Sequence, residues 1–467
     1  MGYGSACKLS GLRVYSRPLG DTLVKTSKPW ISEEFADLDL GDQRLNKRAR
    51  TLMERFSAKP TASLPMASQG WSETVATYRF LGNEEVDWRE IMAPHYAQTR
   101  QRMSAHAVVL CLQDTTELDF NGQCITGLGP LSYEAQRGLY LHPTYAITPQ
   151  REPLGITDAW MWARELKDAD GHRPGPKESI RWIEGYQRVA EMAADVPGTR
   201  LVYVADRESD IVELMPCAQD VGTPADWRVR AKHNRCLPEG QKLWSHTGAG
   251  EPLGEIVFTM TSRQGQKARQ VRQQLWARRV DIPAGKTATV EVTCIVACEV
   301  GAPAGTAPVH WRLLTNRVAS TLDQVIELID WYRARWEIEM FFNILKNGCA
   351  IEALQLSGVD RLERALALFM VVSWRIAHLM RTGRTCPDLE AALFFDSDEI
   401  RGAYLLTKKK PPSQAPRINE VLRLIATLGG FLARKGDGEP GVKTIWLGLQ
   451  RVMDAATTLK AVRVENG

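Results

Sequence analysis

The sequence has no CxxC pair, no HExxH element and no GxxxxGK[ST] loop, and its eight histidines are scattered. These absences remove zinc-protease and P-loop chemistry from consideration. Its nine cysteines are an odd number, and most sit in apolar runs, as Cys111 does within residues 108–112. That pattern predicts reduced, buried thiols rather than a disulfide framework or a zinc site. No run approaches the ~18 apolar residues of a membrane-spanning helix. Residues 1–8 lack the apolar core of a secretion signal, and Ala6 stands where an N-myristoylation motif needs Ser or Thr. No membrane partner is expected, and the expected location is cytoplasmic. A strong charge of one sign is also missing: 59 Lys and Arg stand against 55 Asp and Glu, a net charge of +4. Any nucleic-acid surface must therefore be local. There is no internal repeat and no long low-complexity stretch.

What is present is ample core material. Hydrophobic residues make up 44% of the 467 residues and charged residues 24%, the profile of a globular protein with several lobes. Residues 1–30 read as an unassigned leader, and residues 31–100 are helical in pattern. Asp42 is a plausible N-cap, followed by Leu45, Ala49, Leu52, Met53 and Phe56 on one helix face. Arg44, Lys47, Arg48 and Arg50 lie largely on the other. That basic face suits a phosphate backbone or plain solvent, and the pattern does not choose. Residues 101–360 read as an α/β region. Its strands are expected at 107–112, 139–147, 154–163, 201–205 and 227–232, with a helix at 178–194. A β-rich insertion is expected at about 237–310, with short strands at 255–260 and 288–299 and basic residues crowding 263–279. Residues 361–467 are helical, with a buried apolar helix at 362–380, a basic linker at 408–412, and helices at 418–432 and 442–459.

Two apolar strands each end in an aspartate, Asp114 and Asp206. Such positions face the crevice where open α/β sheets bind ligands. One would mean little, since turns favour Asp. Two make a Mg²⁺ site thinkable. The apolar spacing from Leu322 to Ile344 predicts one long helix over 321–346. At about 100° per residue, Tyr332, Arg335, Glu339 and Lys346 share a stripe roughly 60° wide. Cations and a phenol suit phosphate oxygens, and a carboxylate suits a metal. The competing reading is a surface helix with an Arg335–Glu339 pair one turn apart, against which stands its setting among Trp331, Trp336 and Phe341. Glu208 and Asp210, neighbours of Asp206, read as groups supporting that site or, more simply, as acids at a helix N-terminus.

These residues resemble the insertion-sequence-four family of bacterial transposases, of the DDE class. Tyr332, Arg335, Glu339 and Lys346 match its Y-x2-R-x3-E-x6-K signature. Residues 112–116 and 205–211 look like its two catalytic Asp motifs. The resemblance covers about residues 31–460. It implies an α/β, ribonuclease-H-like mixed sheet with flanking helices, carrying the β-rich insertion between helical N- and C-terminal regions. It also implies that residues 31–100 bind DNA ends, using Arg44 and Arg48, and that the C-terminal region serves dimerisation.

By the same resemblance, Asp114, Asp206 and Glu339 would hold two Mg²⁺ ions, with Mn²⁺ able to substitute. Tyr332, Arg335, Lys346, Arg230 and Lys232 would contact DNA. A hairpin step would need an unstacked base, held by Trp311 or Trp336. The implied partners are double-stranded DNA, as transposon ends and target, and a second copy of the chain in the DNA-bound complex, located at the bacterial nucleoid. Two other readings stay open: a nuclease of the same fold that never joins DNA, and a catalytically silent end-binding repressor.

Overall fold

The computed structural model describes residues 30–465 apart from 176, 261–267 and 285–287. The leader, except Trp30, lies outside the described residues, as do Arg263 and Lys267 of the basic stretch. In chain order the strands are β1 (Val108–Gln113), β2 (Thr116–Asp119), β3 (Gly129–Pro130), β4 (Arg137–Ile147), β5 (Pro153–Trp162), β6 (Arg200–Ala205), β7 (Asp226–Arg230), β8 (Gly254–Met260), β9 (Arg269–Pro283), β10 (Thr289–Glu299) and β11 (His310–Thr315). The chain forms two compact units. One takes the N-terminal residues up to Ala105, Thr115–Pro174, and Glu339 onward; the other takes His106–Asp114 and Gly175–Ile338.

In the second unit β1, β6 and β7 pair in parallel, and the near-continuous apolar sequence of β1 and β6 suits strands covered on both faces. Helix Ile180–Met192 crosses β1 closely: a Cβ at Gly185 would stand 2.1 Å from the side-chain oxygen of Gln113. A larger residue there would have to push aside the Gln113 amide, next to Asp114. The sheet continues from β7 to β11, β10, β9 and β8 in antiparallel pairing. The expected β-rich insertion is therefore a meander that extends the catalytic sheet, and the basic stretch runs into the long strand β9. Its alternating burial, Val271 in and Arg272 out, reflects the two faces of a strand.

In the first unit β4 pairs with β2, β3 and β5, all antiparallel. Asp42 caps helix Gln43–Ala58 by accepting from the Arg44 amide at 2.7 Å. Ala49, Leu52, Met53 and Phe56 are buried as the periodicity predicts. Helix Val359–Thr385 is long and apolar enough to span a membrane, contrary to expectation, but 89% of its apolar window is buried in the protein. A charge cluster ties this helical core. Arg102 gives Glu34 two hydrogen bonds, at 2.8 and 3.0 Å. His95 accepts from the Ile156 amide through Nε2 at 3.0 Å, so its Nδ1 carries the proton that it donates to Glu34 at 2.5 Å. Burial alone would raise the Glu34 carboxyl, but His95 and Arg102 outweigh it and hold the group at about 2. Burial lowers the His95 value, which agrees with a neutral ring. Of the cysteines, Cys111, Cys294 and Cys349 are buried free thiols as expected, whereas the free thiols of Cys124 and Cys236 are exposed, which corrects the expected burial at those positions.

Candidate active site

The register of β1 on β6 pairs Gln113 with Ala205. The next residues, Asp114 and Asp206, therefore leave adjacent parallel strands at the same level. Arg335 reaches both: one guanidinium nitrogen lies 2.6 Å from Asp114 and the other 3.8 Å from Asp206. It is only 5% exposed. The Tyr332 hydroxyl donates to Asp206 at 3.5 Å, and an Arg230 nitrogen lies 3.6 Å from the same carboxylate. Burial raises the Tyr332 phenol, as does Asp206, against the pull of the three arginines around it.

The helix that delivers these groups is not continuous, which corrects the single helix expected over 321–346. Helix Leu322–Ala334, opened by a capping box of Thr321 and Gln324, stops at Arg335. There the backbone changes to i→i−3 bonds, Arg335 N to Tyr332 O and Ile338 N to Arg335 O. Helix Trp336–Asn343 follows, and then a π-helical turn over Ile344–Gly348. A π turn shifts the angular phase that the roughly 60° stripe assumes for Lys346. Such turns recur at functional sites.

From the sequence Arg228 has no role of its own and Asp210 reads as a helix-terminal acid. Arg228 is one strand step pair from Arg230 and so shares its face of β7. It is fully buried, with its guanidinium carbon 4.6 Å from the Tyr332 ring centroid. Asp210 is buried and accepts from the Lys232 and His233 amides at 2.6 and 2.9 Å while pairing with Arg235 at 2.7 Å. It fixes the segment after β7 instead of acting as a helix-terminal acid. Trp311 stacks on Phe258, centroids 5.2 Å apart, and meets Tyr332 edge-on at 6.0 Å. Trp336 is 47% exposed, which corrects the expectation that it is embedded; Trp331 and Phe341 are buried. Lys232 is exposed.

The unit boundary falls between Ile338 and Glu339, so Glu339 and Lys346 belong to the first unit. Glu339 is half-buried, and Lys346 pairs with Glu352 at 3.5 Å. In that unit Arg44 is exposed and spends its guanidinium on Asp42 at 2.7 Å, while Arg48 is half-buried. Among the described residues no three His, Cys, Asp or Glu side chains are gathered to hold a metal. The two aspartates converging on one guanidinium nevertheless form a hard-oxygen donor set already occupied by a cation, which suits a divalent metal.

Three family models match the chain in succession: transposase DNA-binding over residues 27–86, transposase DDE domain over 226–374, and transposase Tn5 dimerisation domain over 371–464. The chain is a DDE transposase. This transposase acts by cut and paste, binds DNA, and belongs to a class that depends on divalent metal. Its mixed α/β sheet is the ribonuclease-H-like fold expected of the class. Among solved structures it is similar to the piggyBac transposase synaptic complex with hairpin DNA, at 9% identity and a TM-score of 0.38 over 87% of this chain and 83% of that one. That likeness is too weak to carry an argument.

Proposed function

We propose that the transposase belongs to the insertion-sequence-four family and that Asp114, Asp206 and Glu339 are its catalytic carboxylates. The observation that supports this most is the shared Arg335 guanidinium between Asp114 and Asp206, at the register-matched ends of parallel strands. The three carboxylates would hold two Mg²⁺ ions, or Mn²⁺, which would supply activation of the attacking hydroxyl and stabilisation of the leaving oxygen. Arg335 and Arg230 bind the scissile phosphate by charge-assisted hydrogen bonds. Tyr332 donates its phenol proton in a hydrogen bond and keeps Asp206 oriented. Lys232, exposed after β7, and Lys346 contact neighbouring phosphates. Trp311 offers its unstacked side, and Trp336 its exposed ring, to the base displaced in a hairpin step.

In this reading residues 31–100 bind the terminal inverted repeats, with Arg44 and Arg48 on the backbone. Residues 101–360 are catalytic, with the β-rich insertion at about 237–310. Residues 361–467 dimerise the protein on two DNA ends, at the nucleoid. Incubation of the protein with a labelled fragment carrying the terminal repeats beside its gene, plus Mg²⁺, tests this. Cleavage and joining by the wild type and neither by Asp114→Ala is expected. Undiminished cleavage by Asp114→Ala would show that the active site lies elsewhere, and specific binding without cleavage would favour a repressor.

A further inference from the structure

Arg228 has no hydrogen-bond partner at any of its three side-chain nitrogens, although it is fully buried. Its guanidinium lies over the face of Tyr332. Burying an unpaired ion is costly, and an apolar side chain of similar volume would fill the space more stably. Burial pushes its pKa down to about 9, so the charge persists at neutral pH. Arg228, Arg230 and Arg335 surround Tyr332, and their field falls on the Asp206 end of the site. Arg230 and Arg335 lie against the carboxylates of Asp206 and Asp114, and Arg228 lies behind the Tyr332 ring within the field of Asp206, so three guanidinium charges stand against two carboxylates in this cluster.

We propose that Arg228 couples metal loading to DNA: its unneutralised charge opposes a divalent cation at Asp114 and Asp206 until a DNA phosphodiester supplies the compensating negative charge. The inference rests on the proposed transposase site. Arg228 is a positioning residue, touching neither metal nor phosphate and acting through Tyr332 and the local potential. Because coupling between two ligands is reciprocal, the metal-loaded site also holds the phosphate more tightly. The device keeps the free protein from loading its metals away from DNA.

The test is Mn²⁺ binding to the full-length protein, read by paramagnetic resonance of the free ion, with and without a duplex carrying a transposon end. For the wild type, DNA should tighten Mn²⁺ by about fivefold or more, a typical coupling. Arg228→Met should bind Mn²⁺ about threefold or more tighter without DNA, since a nearby like charge is gone. Its coupling to DNA should shrink by the same factor, and its Tm should equal or exceed the wild type's. A lower Tm or failure to fold, or an Mn²⁺ affinity equal to the wild type's, would make Arg228 a structural residue and overturn the inference. A wild type that cleaves ends but shows no coupling sinks this inference alone; one that neither binds Mn²⁺ nor cleaves sinks the proposed site with it.

Discussion

Glu34 in the first unit and Arg228 in the second are both buried charges, and the protein treats them in opposite ways. Glu34 meets two nitrogens of Arg102 and one of His95. Arg228 meets an aromatic face and no acceptor. A satisfied buried ion specifies packing; an unsatisfied one stores potential for a ligand that is not yet there. The Glu34 cluster thus satisfies its own charges, while Arg228 keeps an unpaired charge near Asp206.

The largest effect should come from removing a carboxylate at the sheet. Asp206→Asn should lower end cleavage by about a thousandfold, roughly 4 kcal/mol in activation free energy, with the fold retained. Adding Asp114→Asn should cost little more, because groups acting as a unit are not additive. Additive losses would break the idea of one site. Next is Arg102→Met, which leaves Glu34 buried without its cation. It should destabilise the protein by about 3–5 kcal/mol in urea titrations, whereas Arg228→Met should cost nothing; equal effects would erase the contrast.

Acid should dissolve the paired cluster and spare the unpaired one. The folded values of Glu34 and His95 are both depressed, so both contribute stability at neutral pH that is lost as protons bind. Loss begins below the ordinary histidine value of 6.5, as the unfolded chain takes up the His95 proton first, and deepens between 4.5 and about 2 as Glu34 titrates. Glu34 alone accounts for about 3 kcal/mol across that window. Urea midpoints of the wild type and Glu34→Gln should converge as the pH falls; parallel curves would assign the acid loss elsewhere. The smallest effect is at Arg230→Ala, which should reduce the salt slope of DNA binding by about one, while Arg228→Met leaves that slope unchanged because it touches no phosphate.

Much of this contrast could not be read from the sequence. The paired strands ending in Asp114 and Asp206 were legible because parallel, doubly covered strands are continuous apolar runs that stop at the crevice. Tyr332 and Arg335 were legible as polar residues at helical spacing. The break at Arg335 was not, since neither proline nor glycine marks it and the switch to i→i−3 bonds coincides with a long-range pair to Asp114. The π turn over Ile344–Gly348 was not legible either: it changes the phase that a 3.6-residue repeat assumes. Arg228 alternates with Arg230 along β7, and only tertiary packing places Tyr332 over it. Asp210 likewise gains its role from Arg235 and two amides that lie beyond β7 in the chain.

The claim that Asp114, Asp206 and Glu339 hold the metal is tested most directly by loading the protein with Fe²⁺ and generating radicals with ascorbate. Backbone scission should cluster around residues 114, 206 and 339 and should be suppressed by Mg²⁺. Scission confined to other positions, or none that Mg²⁺ suppresses, would contradict the assignment.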